Sequence, residues 1–189
     1  MRKFAVILGS AFMMLAGSCS SLGDSPYRYA KEIDDAVKFY VAEVDYFIQT
    51  ANSLPKADGD DLDAISTYDE LCEYDDEMMN AFEEIYLEDD DITYKKVLER
   101  VAALDGAQYA GDAASILEKY DAVKTDLSKY ERHDVKSGYE SWIFVEKNSG
   151  IKFIFEFATE SGKKVWSCYP EEDSYFEYID NGVENKDEE

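Results

Sequence analysis

Acidic side chains gather in two short loops of this chain, and clustered carboxylates are one way a protein holds calcium. Asp58, Asp60, Asp61 and Asp63 fall within "ADGDDLD", and Glu88, Asp89, Asp90 and Asp91 form an unbroken run. Calcium takes several oxygen ligands from one flexible loop. Measured against the EF-hand spacing, however, Leu62 occupies a ligand position and Asp63 stands where the sharp turn needs glycine. The two clusters flank a helix predicted over residues 61–87, whose length of roughly 40 Å keeps them from sharing an ion. Acids that cap helices and lie along their dipoles in solvated loops account for the same pattern. Calcium at Asp58, Asp60, Asp61 and Asp63 is therefore the minor expectation.

Other reactive residue types are sparse. His133 is the sole histidine, in "KYERHDVKSG", where it is expected to follow the fourth helix and meet the carbonyls at its end. The chain has no Gly-x-Ser-x-Gly turn, no histidine–cysteine spacing suited to zinc, and no Cys-x-x-Cys pair. Carboxylate pairs are too numerous for any to mark a glycosidase. No catalytic residue is nominated and an enzyme is not expected. Cys72 and Cys168 either form a disulfide linking a helix to a distant strand or remain two buried free thiols. Tyr169, Tyr175, Phe176 and Tyr178, bracketed by "EED" and Asp180, suit either a protein interface or a fourth strand packed on the core.

Cys19 has a more definite setting. Arg2 and Lys3 precede an uncharged, mostly apolar stretch, "FAVILGSAFMMLA", too short to span a bilayer as a helix. Small residues then lead into the cysteine: Ala16, Gly17, Ser18, Cys19. This resembles the lipobox of bacterial lipoproteins, although Ala16 stands where a large aliphatic residue is usual. The resemblance covers about the first 21 residues. It implies cleavage before Cys19, acylation of that residue, and palmitate-type attachment to a membrane. Ser20, rather than aspartate, follows the cysteine, which in that class implies the outer membrane; "SSLGD" lacks the acidic run of surface-exported members, so the periplasmic face is preferred over the cell surface. An ordinary secretory cleavage site would cut at the same bond and leave a free thiol.

Charge narrows the partners. The chain has 189 residues, 43 acidic and 19 basic, for a net charge of −24. Loss of residues 1–18, with two basic residues and no acidic one, makes that −26. Such a chain repels nucleic acid and anionic head groups, and no nucleic-acid role is expected. Fifteen tyrosines and ten phenylalanines nevertheless supply a core, so wholesale disorder is not expected.

The elements follow from periodicity. Ile33, Val37, Tyr40, Val44, Phe47, Ala51 and Leu54 step by four and three, the seam of a long helix begun near Pro26 and stopped by Pro55. Ile65, Tyr68, Cys72, Met79, Phe82 and Tyr86 mark a second, with Asp75 interrupting its inner face. Val97, Val101 and Leu104 mark a third; Ile116, Tyr120, Val123, Leu127 and Tyr130 a fourth, capped by Asp112. Short loops imply an antiparallel bundle. Near Ser137 the period changes to two. "SWIFVEK", "IKFIFEFAT" and "KKVWSCY" read as strands joined by "NSG" and "ESG", with Gly150 and Gly162 at positions suited to positive φ; "SYFEYI" is a candidate fourth strand.

The expected class is α+β: a bundle of about four helices with a three- or four-stranded antiparallel meander packed on it. Residues 1–18 are read as signal peptide, 19–25 as lipidated tether, 26–180 as one composite domain (26–133 bundle, 138–180 meander), and 181–189 as a disordered acidic tail. The expected function is a membrane-anchored, non-enzymatic envelope lipoprotein that binds a protein or envelope component. The alternatives are an acidic inhibitor or immunity protein for a basic exported enzyme or toxin, and a calcium-binding lipoprotein.

Overall fold

The computed structural model describes residues 26–54, 62–87, 92–136, 139–160 and 163–184. The lipobox-like segment with Cys19, the loop residues Asp58, Asp60 and Asp61, the run 88–91, Gly162 and residues 185–189 lie outside them. Among the described residues the fold is α+β, with five α-helices and one four-stranded sheet. None of these helices is long and apolar enough to cross a membrane.

A 3-10 turn, Pro26–Tyr29, leads into α1, Ala30–Ser53. The helix stops because Leu54 precedes a proline, which disfavours the helical conformation there; Leu54 is extended at φ −62°, ψ 149°. The predicted seam is buried at Ile33, Val37, Val44, Phe47 and Ala51, but so are Ala36, Phe39, Val41, Ala42 and Glu43. Burial on this many sides makes α1 the central element. Helices α2 (Leu62–Leu87), α3 (Tyr94–Ala102) and α4 (Ala110–Ala122) contact it along its length. On α2 the fully buried methionine is Met78 rather than Met79. Tyr94 of α3 lies at the middle of this packing, stacked between Phe39 at 4.4 Å and Tyr86 at 4.3 Å.

The sheet runs β1 (Leu127–Lys136), β2 (Tyr139–Glu146), β3 (Lys152–Glu160) and β4 (Lys163–Pro170), antiparallel and in chain order. Cross-strand register places Trp142 opposite Phe155, Phe144 opposite Phe153, and Phe155 opposite Cys168 on one face. That face is buried, and α1 packs against β4. Tyr29 closes the end of this layer, 5.2 Å from Phe155 and 6.2 Å from Trp166 between ring centres. The β2–β3 turn has Gly150 at φ 80°, as its spacing predicts.

Four expectations are corrected. The fourth helix ends at Ala122, where Val123 turns extended, and Leu127 and Tyr130 belong to β1. The paired register skips Tyr130, because a bulge separates Lys129 from Glu131. His133 consequently lies in β1 and is not placed after a helix end. The fourth strand is this β1, not "SYFEYI", which folds as α5, Glu172–Gly182. Glu171 caps α5 by accepting the Ser174 N–H at 3.1 Å, and Tyr175, Tyr178 and Ile179 recur at helical spacing. Residues 181–184 are also not a free tail: the Asn52 amide donates to the Gly182 carbonyl at 3.0 Å and accepts the Glu184 N–H at 2.8 Å.

Candidate functional site

With 43 acidic residues against 19 basic ones, most carboxylates cannot find a cation. Tyrosine hydroxyls take that role around α1. Tyr120 of α4 donates to Asp35 at 2.8 Å, Tyr178 of α5 to Asp45 at 2.9 Å, and Tyr175 of α5 to Glu43. Tyr46 and Tyr74 converge on the two oxygens of Asp112, at 2.5 and 2.7 Å. Each such bond gives a desolvated carboxylate a donor, which hydrogen-bonds it without adding charge. Asp35 does more: it accepts the N–H groups of Tyr94 and Lys95 at 2.8 and 3.2 Å, capping α3 from another helix.

The deepest of these acids is Glu43, 1% exposed. Its neighbour across the α1–α2 contact is Asp75, the residue that interrupts the inner face of α2 in the sequence pattern. Burial, then the Asp75 charge, holds Glu43 well above the ordinary carboxylate range. Burial likewise pushes Asp75 up to about 7. Such a pair gives up its protons as a unit.

A different site faces outward. The second face of the sheet carries Ile143, Ile154 and Tyr169 in one cross-strand row, each half-buried, with Val145 beside them. At the Tyr169 end a hollow of about 310 Å³ is lined by Ile154, Tyr169, Pro170, Glu171, Glu172 and Asp173. Burial, followed by the nearby Glu156 charge, raises the Tyr169 hydroxyl to about 12, so it remains a donor at neutral pH. Glu172 and Asp173 are exposed, while Lys152 reaches Glu171 at only 3.9 Å. The lining combines apolar and anionic side chains, suited to a cationic ligand with an aromatic or aliphatic body.

The residues singled out by sequence therefore separate. Tyr169 lines the outer hollow, whereas Tyr175 is 7% exposed and turned to Glu43. Tyr178 and Phe176 are half-buried on α5. Cys72 and Cys168 are free thiols, half-buried and buried respectively. Burial and the Asp75 and Asp69 charges raise Cys72 to about 12, and burial alone raises Cys168 further. Of the first acidic cluster only Asp63 is described, within α2 and without its side chain; among the described residues no group of three or more His, Cys, Asp or Glu is placed to hold a metal. Glu43 and Ile143 were not legible as site residues, the first because a charge beside a helix seam reads as solvent-facing.

Helices α1 to α4, a meander and a final helix define an α+β chain in which phenols meet the carboxylates of Asp35, Glu43, Asp45 and Asp112. No family model matches this chain, and neither a curated protein nor a solved structure is recognisably similar to it.

Proposed function

We propose that this protein is a non-enzymatic envelope lipoprotein, held to a membrane by acyl chains on Cys19, that binds a cationic protein or envelope component through the outer face of its sheet. The observation that carries the binding half is the row Ile143, Ile154 and Tyr169 opening onto the acidic turn Glu171–Asp173. The lipobox-like approach to Cys19 supports the anchor, since several acyl chains give stable attachment where one does not. Ser20 supports the outer membrane, on its periplasmic side. A second reading, an inhibitor or immunity protein for a basic exported enzyme, is favoured by the acidic turn, because opposite charge accelerates encounter.

The test is photocrosslinking in intact envelopes, with the probe at Ile154 or Tyr169 and a control probe at Leu104, which is 56% exposed on the helical side. One discrete adduct from the sheet positions and none from the control is expected. Identical patterns from all three positions would remove the docking face. Washing at about 1 M salt, where screening shrinks to about 3 Å, separates charge-steered capture from apolar capture. For the anchor, the processed chain is expected to carry lipid mass, and Cys19→Ala to leave the membrane fraction; an unlipidated chain would end that half alone.

A further inference from the structure

Oε1 of Glu43 is the odd atom of the core. Glu43 is 1% exposed, its Oε2 accepts the Tyr175 hydroxyl, and among the described residues no donor serves Oε1. The group beside it is another acid, Asp75. Two ionised carboxylates have no hydrogen to place between them, and a desolvated charge without a donor is strongly unfavourable. One proton resolves both defects: held by either acid, it bonds the pair.

We infer that Glu43 and Asp75 share a proton and, with Tyr175, form a latch that holds α2 and α5 on α1, closed in acid and slackening as the medium turns alkaline. The latch touches three elements because Glu43 belongs to α1, Asp75 to α2 and Tyr175 to α5. The groups that bear on it from each side are acids or neutral donors. They are Tyr40, Asp45 and Tyr46 on α1, Cys72 and Asp76 on α2, Asp112 on α4, and Tyr175 itself. With Asp45, Asp76 and Asp112 nearby, a second negative charge meets repulsion from α1, α2 and α4. α2 and α5 are the elements able to respond, since both touch α1 more sparsely than α4 does.

The direction follows from proton linkage. The folded chain keeps a proton that the unfolded chain releases near the ordinary carboxylate pKa, about 4. Stability from the latch is therefore full below that point. It declines from there as pH rises, first through about 7, where Asp75 ionises and one proton remains shared with Glu43, and then until Glu43 releases that proton. Most proteins weaken toward acid; this latch acts the other way. It does not rest on the anchor or on the docking reading.

Hydrogen exchange on the full processed chain tests it, compared at about pH 6 and about pH 8.5 after correction for intrinsic rates. Amides of α2 and α5 are expected to lose protection as pH rises, by up to about tenfold per pH unit for each linked proton. Asp75→Asn, which supplies a donor that does not titrate, is expected to reduce that dependence to what Glu43 alone contributes. Protection in α2 that ignores pH, or that responds equally in Asp75→Asn, would overturn the latch. Should the variant not fold, infrared spectra of the wild-type chain decide: a protonated carboxyl band present at pH 6 and gone in alkali supports it, and its absence at pH 6 refutes it.

Discussion

Asp35 of α1 and Tyr120 of α4 meet at 2.8 Å, and the same carboxylate closes the first turn of α3 through the Tyr94 and Lys95 N–H groups. One side chain thereby joins three helices. Burial raises its pKa, while the hydrogen bonds from Tyr120, Tyr94 and Lys95 oppose that rise.

Removing this acid leaves two backbone donors and a phenol without their acceptor. Asp35→Ala is expected to cost about 2–4 kcal/mol, and Asp35→Asn less, because the amide oxygen still accepts. At this chain length the alanine variant should melt roughly 4–16 °C lower. Thermal unfolding followed by circular dichroism reads the difference, and equal losses in the two variants would show that acceptance is not what Asp35 contributes.

The end of α5 lies so close to α1 that a methyl group has no room. A Cβ on Gly182 would stand 2.6 Å from Ile48 Cδ1 and 3.1 Å from its Cγ2. Gly182→Ala gains about 1 kcal/mol of helix propensity but loses about 1–3 to overpacking. It is expected to destabilise in the wild-type background and to stabilise beside Ile48→Ala, where the obstructing atoms are gone. A double-mutant cycle in urea measures the coupling, and additive effects would place the two residues apart.

How much of this was readable depends on what pattern each element leaves. α1 was legible because Ile33, Val37, Val44 and Phe47 keep one stripe, although its further burial at Phe39 and Val41 depends on partners distant in sequence. β2 and β3 were legible because Trp142, Phe144, Phe153 and Phe155 alternate, and Gly150 marks the turn. β1 was hidden by its bulge at Tyr130, which leaves Leu127 and Tyr130 three apart, as on a helix. α5 was misread because "SYFEYI" is aromatic and strand-like in composition, while its helical evidence is a cap, Glu171 to Ser174, and a spacing of three and four. The outer row of the sheet was half visible: Ile143 and Val145 alternate with Trp142 and Phe144 in "SWIFVEK", yet the register that aligns Ile143, Ile154 and Tyr169 is not local information. The buried acid pair was the least legible, since Asp75 showed only as an interruption.

Glu146 opposes the latch in its response to pH. It is 1% exposed and accepts the N–H groups of Asp126, Asn148 and Ser149 at 3.2, 3.0 and 2.7 Å, with the Ser149 hydroxyl at 2.9 Å. Burial favours its neutral form, but those donors outweigh burial and its pKa falls below the usual value. Its contribution is present above the unfolded carboxylate pKa and disappears as pH drops through the folded one. Glu146→Gln is expected to cost about 1–3 kcal/mol near neutrality, a gap that narrows in acid. Urea titrations at several pH values test this, and a gap that widens on acidification would contradict it.

Cys72 and Cys168 report on whether the two sides of α1 stay apart. Cys168 faces the bundle from β4 and influences Tyr40, Tyr86 and Tyr94, whereas Cys72 lies among Tyr68, Asp69 and Asp75 on α2. Both thiols are raised far above the ordinary value, so thiolate is scarce near neutrality and neither attacks a disulfide readily. With Cys19 replaced by alanine, both are expected to resist a thiol-specific reagent at about pH 7.5 and to react fully in denaturant. Cys72, half-buried, should react first as α2 loosens in alkali. Mass spectrometry of the time course distinguishes the order. Simultaneous labelling would mean that the chain opens as one unit, and a product lighter by two hydrogens under mild oxidation would mean that the cysteines come within bonding distance.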